Sequence, residues 1–411
     1  MTLCVQKGST TKGSWTYVKS QLPNYMQRLL LGALALVIVG GIAFISVNPA
    51  SRAALSAAVG GASSGDVVKI GAALCLTGDC AEWGEGELKS IQLAVDEANQ
   101  SGGISGKKID LSVEDIQGTP QGAVNAMKKL IDVDHVEAVV GITWGDSFQA
   151  GYTVNNAAKV PSVAPSAALE ALFLNKMSTE YVYSAWIPVQ PEVVMLERYM
   201  QKNGIRHVAL LHDKDPYGLM VATEFRDTIA DQHMSIEKEF EFPVGYDDFR
   251  TTIAKLKEMN LDGVFLSFQS AAPKAKFLKQ AKELGYAAHL YTTEDIQDDG
   301  LLKEFAGAME GVIYVYPASS GNMQSFEDKF EKKYGSAPTG SSAANGYDAA
   351  NVVISALTEH YAHGTNLNTA IRNVDIPGAF VKDIRFNDSH QLTGGLYQIK
   401  TIKGGKFTVV E

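Results

Sequence analysis

The stretch IGAALCLTGDCAEWGEGELKSIQLAVDEANQSGGISGKKIDLSVED, residues 70–115, holds one complete strand–helix–strand unit. With the residues just before it, VVKIGAAL (67–74) is a short apolar run that reads as a buried strand. ELKSIQLAVDEANQ (87–100) spaces its apolar residues helically and is followed by Gly102-Gly103, where a left-handed residue ends a helix most easily. KIDLSVED (108–115) alternates with a period of two and reads as a second strand. Two strands joined by a helical crossover pair in parallel, and such units build sheets covered on both faces.

The alternation continues outward from this unit. PQGAVNAMKKLID (120–132) is helical, opened by Thr119 as N-cap and Pro120 at the first helical position, and VEAVVG (136–141) is a buried strand. HVALLHD (207–213), YGLMVATEFRDTIADQ (217–232), FRTTIAKLKEM (249–259), LDGVFLSF (261–268) and PKAKFLKQAKELG (273–285) repeat the pattern. So many units exceed one comfortable core, so two α/β lobes are expected.

Composition excludes some functions. A net charge of −10 over 411 residues, with no basic patch interleaved with aromatics, speaks against nucleic-acid binding. Residues 1–28 carry Lys7, Lys12, Lys19 and Arg28 and no acid; LLLGALALVIVGGIAFISV (29–47) is uncharged. At ~1.5 Å per residue that run reaches ~28 Å, the depth of a hydrocarbon core. It reads as a transmembrane anchor after a cytoplasmic tail, with a cleaved signal segment as the alternative. Either reading exports the rest of the chain. Residues 48–66 are small and flexible, a linker.

Catalytic and cofactor motifs are missing. There is no G-x-S-x-G elbow, P-loop, H-E-x-x-H or C-x-x-C, and GEGELK (84–89) lacks the third glycine of a dinucleotide fingerprint. His360 and His363 read as a solvated helix end rather than a metal site, and EDIQDD (294–299) as loop surface rather than a calcium loop. No metal and no cofactor are expected. Cys75 and Cys80 flank the loop after the first strand, where open α/β sheets bind ligands. In an exported protein they are expected to staple that loop, with two buried thiols as the alternative.

Residues 70–115, with KVPSVAPSA (159–167), HDKDPYG (212–218), DFRTTIAKLKEMNLDGVFL (248–266) and YDAANVVISAL (347–357), resemble the Leu/Ile/Val-binding family. These are the substrate-binding proteins of branched-chain amino-acid ABC transporters. The resemblance runs from about Val67 to the C-terminus. It implies a type I periplasmic-binding-protein fold: two lobes, each a parallel sheet flanked by helices, joined by three hinge crossings. Lobe 1 is expected over 67–187 and 319–395, lobe 2 over 188–318 and 396–411.

The resemblance also implies a ligand site. Gly145 and Ala168 stand where the family holds the ligand carboxylate with hydroxyls, and Asp146 sits alongside. Ser147 and Ser166 retain hydroxyls nearby. Tyr217 matches the lobe-2 tyrosine, Glu294 the ammonium-binding glutamate, and Gln269 the position of a second tyrosine. Trp83 takes the aromatic position on the first loop, and Trp144 adjoins Gly145. With two hydroxyls lost, the ligand is expected to be an amine, amide or other small polar or cationic compound rather than a branched-chain amino acid. The expected partners are that small molecule, an ABC permease or other membrane protein, and the membrane through the N-terminal helix. A membrane-anchored sensor using the same fold is the alternative function.

Overall fold

The structure, a computed structural model, describes residues 67–410 apart from 79, 144, 145, 320, 321, 340 and 341, and the side chains of 146–148 are likewise outside the description. The tail, apolar segment and linker read at 1–28, 29–47 and 48–66 therefore lie outside the described residues, as do Trp144 and Gly145. Among the described residues no helix is long and apolar enough to cross a membrane.

Two sheets organise the chain. The first has strand order β2-β1-β3-β4-β5, all parallel. Its strands are β1 (Val67–Leu74), β2 (Lys108–Asp115), β3 (Ala138–Gly141), β4 (Ser162–Ala164) and β5 (Val182–Ser184). They alternate with helices α1 (Ala81–Gln100), α2 (Pro120–Lys128), α3 (Asp146–Ala158) and α4 (Glu170–Leu174). β1 pairs with β2 in unbroken register from Val67↔Lys108 to Leu74↔Asp115, so the opening unit closes as a parallel pair.

The second sheet has order β14-β13-β10-β9-β8-β6-β7. Its parallel part is β6 (His207–Asp213), β7 (Ser235–Phe242), β8 (Gly263–Ser267), β9 (His289–Thr292) and β10 (Ile313–Ala318). The accompanying helices are α5 (Val189–Lys202), α6 (Pro216–Thr228), α7 (Arg250–Lys257), α8 (Ala271–Glu283) and α9 (Asp299–Met309). α10 (Met323–Tyr334), α11 (Ala343–His363) and α12 (Leu367–Arg372) follow, with α11 packed on α1. A short pair, β11 (Ile376–Pro377) and β12 (Asp383–Ile384), precedes β13 (Leu396–Ile402) and β14 (Phe407–Val409). β13 and β14 join antiparallel, so the second sheet is parallel only in part. The strand–helix alternation does not reveal these two strands, because they lie far along the chain from β10.

Local chemistry explains the elements. Thr119 caps α2 by accepting from the Gly122 amide at 3.0 Å, and Pro120 fills the first helical position. α1 starts at Ala81, six residues before its clear helical periodicity, so Trp83 lies in its first turn rather than on a loop. That early start needs Gly84. A Cβ there would stand 1.8 Å from the Cys75 carbonyl oxygen, so only glycine lets the helix rest on the end of β1. Gly84→Ala is expected to destabilise the fold by about 3 kcal/mol, read as a lower urea midpoint with an unchanged m-value.

Cys75 and Cys80 are joined by a disulfide, with Cα atoms 5.7 Å apart and both residues buried. His360 bonds the Thr365 carbonyl at 2.8 Å and His363 the Glu359 carboxylate at 2.9 Å.

Candidate ligand site between the sheets

Each expected site residue that the structure describes lies just beyond the C-terminal end of a parallel strand, where backbone groups and side chains converge on open space. α1 brings Trp83 in behind β1, and the segment after β4 supplies Ser166 and Ala168. From the second sheet, Tyr217 follows β6, Gln269 follows β8, and Glu294 follows β9. All six line one narrow cavity with about 20 Å³ of free volume, together with Trp186, Met220 and three others. Asp146 begins α3, and its side chain lies outside the description.

Aromatic rings form one wall. The rings of Trp83 and Trp186 stand 5.8 Å apart and inclined at 48°. Trp186, just past β5 where the chain leaves the first sheet, carried no motif to mark it. On the other side, Tyr217 donates its hydroxyl to both Glu294 oxygens, at 3.1 and 3.0 Å. Glu294 is 4% exposed, and EDIQDD is thus no surface loop at its start. Burial first, then the neighbouring Asp295, push the Glu294 carboxyl above its ordinary range.

Behind Glu294 lies an acidic cluster. Asp295 accepts from Lys274, whose Nζ is fully buried and also donates to Thr293 at 2.7 Å. Lys274 is thereby committed away from the cavity. Asp213, pushed up to about 6 by burial, accepts from the backbone amides of Asp215 and Gln269 at 3.3 and 3.4 Å. Glu192 of α5 is fully buried, and burial first, then the charge of Glu294, push its carboxyl up. Composition gave no hint of Glu192, but spacing does: it shares the apolar stripe of Val189, Val193 and Leu196, all buried.

The first sheet contributes a different carboxylate. Glu87 of α1 is buried and accepts from Thr143 Oγ1 at 2.7 Å and from Ser166 Oγ. Thr143 Oγ1 in turn accepts from the Cys75 amide at 3.1 Å. Burial pushes Glu87 up to about 7 against these hydrogen bonds. Ser166 was expected to offer its hydroxyl to a ligand. Its proton points to Glu87 instead, leaving the cavity only lone pairs and backbone from this residue.

The charge balance follows. No Lys, Arg or His lines the cavity among the described residues. The cleft leading to it shares Trp83, Gln269 and Glu294 and adds Glu82, Asp295, Asp298 and Asp299, again without a cation. Burial and then Asp298 and Asp299 raise the Glu82 carboxyl. The arrangement offers acceptors and apolar walls, and Gln269 Oε1 is buried without a donor.

Comparison with known proteins agrees with this geometry. The chain is 27% identical over 256 residues to the leucine-, isoleucine-, valine-, threonine- and alanine-binding protein of Pseudomonas aeruginosa, covering 61% of this chain and 67% of that one. Among solved structures it resembles a leucine binding protein of Thermotoga maritima, with a TM-score of 0.74 at 20% identity, covering 84% of this chain and 98% of that one. It also resembles an R. palustris ABC-transporter solute binding protein in complex with benzoate, with a TM-score of 0.72 at 19% identity, covering 84% and 95%. The fold is thus the two-lobed α/β architecture of type I periplasmic binding proteins. The sequence profile described as "Periplasmic binding protein" matches residues 67–406, and the chain belongs to that family.

Proposed function

We propose that this protein captures a small cation, an amine or amidine with an apolar body, between its two lobes outside the cytoplasm and delivers it to an ABC transporter. The observation that carries the ligand class is Glu294: a buried carboxylate that accepts from the Tyr217 hydroxyl, in a cavity that no cation lines among the described residues. An unpaired buried carboxylate is costly, and an ammonium group supplies both charge and donors. Trp83 and Trp186 flank the same space with aromatic faces, which favour a cation.

A free amino acid or benzoate brings a carboxylate. Among the described residues lining this cavity that group finds no cation, and the Ser166 hydroxyl donates to Glu87. The lobes in this reading are 67–187 with 319–395, and 188–318 with 396–411. Contacts from both lobes to one ligand would favour the closed arrangement over the open one. The uncharged run 29–47 serves as the membrane anchor.

The test is a thermal-shift panel on protein unfolded and refolded to strip bound ligand. A saturable rise with benzylamine, butylamine or benzamidine is expected, about 2.7 kcal/mol at 100 times the dissociation constant. A rise with leucine or benzoate and none with the cations would overturn the ligand class.

A further inference from the structure

The cavity at Glu294 and the cleft outside it differ sharply in room. The cavity has about 20 Å³ of free volume. A single water needs about 10–15 Å³ by the same measure, so the space suits one small head group. The cleft has about 660 Å³ and shares Trp83, Gln269 and Glu294 with the cavity. A ligand with its head at Glu294 therefore finds room for its body only in the cleft.

That cleft is acidic from both sides. Glu82 stands in the first turn of α1, which follows β1 of the first sheet. Asp298 and Asp299 open α9, which follows β9 of the second sheet. All three line the cleft. Acids at helix N-termini are ordinary, because they complement the helix dipole. That accounts for each one singly, but not for acids from two sheets lining one space. Burial first, and then the charges of Asp298 and Asp299, raise the Glu82 carboxyl. Nearby cations are engaged elsewhere. Lys274 is bound to Asp295 and Thr293, while Lys400 donates to Gln297 and lies over the Tyr316 ring without lining the cleft.

An independent feature at the junction of cavity and cleft also asks for a donor. Gln269 lines both spaces, is 7% exposed, and its buried Oε1 accepts from no donor among the described residues. A buried amide oxygen left without a donor is costly, and a ligand N–H would satisfy it. Trp83, Tyr316 and Phe407 add aromatic surface along the cleft, suited to methylenes and to a cation.

We infer that Glu82, Asp298 and Asp299 form a second cation subsite, and that the ligand is an elongated diamine or polyamine with one ammonium at Glu294 and another at these acids. The inference rests on the function proposed above and narrows its ligand class. The second ammonium neutralises acids from both sheets that a monoamine leaves opposed.

Three ligands of one length test it: pentylamine, cadaverine and δ-aminovalerate, titrated by calorimetry into refolded protein at neutral pH. Each offers the same ammonium to Glu294, while the far end is apolar, cationic or anionic. A partly exposed carboxylate is worth a factor of about two to five to a cation, so cadaverine should bind about tenfold tighter than pentylamine. That gain exceeds the factor of about two that its equivalent ends supply. δ-Aminovalerate should bind more weakly than pentylamine. Glu82→Gln with Asp299→Asn removes two of the charges and leaves Asp298 to cap α9 through the Leu301 amide. In that variant the cadaverine-to-pentylamine affinity ratio should fall by about threefold or more.

Equal affinity for cadaverine and pentylamine in the wild type would overturn the second subsite and leave Glu294 as a cation site. That comparison decides the matter even if the double variant fails to fold. An unchanged ratio in a folded variant would overturn the assignment to these acids, as would δ-aminovalerate binding as tightly as cadaverine. Failure of cadaverine, pentylamine and benzylamine alike would overturn the subsite and the cationic ligand together.

Discussion

Glu294→Gln is expected to weaken the binding of a cationic ligand by about two to three orders of magnitude, and to raise the melting temperature of the ligand-free protein. The substitution keeps the shape and one acceptor for Tyr217, so the cavity wall survives. What goes is the charge that faces the ligand. Removing one partner of a buried hydrogen-bonded charge pair costs about 2–5 kcal/mol of binding, and Glu192 behind it does not line the cavity to compensate. Stability moves the other way, because an acid held beside Glu192 and Asp295 is removed. A titration of benzylamine with a paired melting curve checks both. Equal affinity for the two proteins would remove Glu294 from the site. Loss of affinity together with a lower melting temperature would mean that Glu294 holds the fold and not the ligand.

Lys274→Met should cost about 3–5 kcal/mol of folding stability, the largest loss expected from one side chain here. Its ammonium is fully buried and bound to Asp295 and Thr293, so the loss strands Asp295 next to Glu294 and Asp213. The penalty should shrink at low pH, where those acids take up protons. Lys274→Met with Asp295→Leu should recover most of it, since a buried ion pair is often replaceable by apolar side chains of similar volume. Urea unfolding of the single and double variants at pH 5 and pH 8 separates these outcomes. A double variant as unstable as the single one would mean that the helix packing of Lys274, not its charge, carries the energy.

Much of the architecture is legible in the sequence because it is written locally. β1 and β2 were read at their observed limits, since a period of two and a bounded apolar run each specify a buried strand face. Tyr217 follows the strand at 207–213 that the alternation already marks, and the family resemblance gave Tyr217 and Glu294 their roles. Non-local features were harder. β13 pairs with β10, which ends far before it in the chain, and nothing in its own composition names that partner; β14 then joins β13. The early start of α1 depends on tertiary contact between Gly84 and β1, which helical periodicity does not register. Ser166 has the residue type expected at a ligand site, but its hydroxyl bond is decided by Glu87, 79 residues away in the chain. Glu192 is the instructive omission. Its charge suggests a solvated helix face, while its spacing with Val189, Val193 and Leu196 places it inside.

The paired indoles of Trp83 and Trp186 give the protein an optical handle. The chain has four tryptophans, and these two line one cavity with rings 5.8 Å apart. Rings at that range couple electronically, so their near-ultraviolet dichroism depends on the angle between them, and their emission on what touches them. Occupancy of the cavity becomes readable without a dye or label, from the shape of a spectrum. Replacing either indole by phenylalanine should erase the couplet and assign the signal to this corner of the molecule.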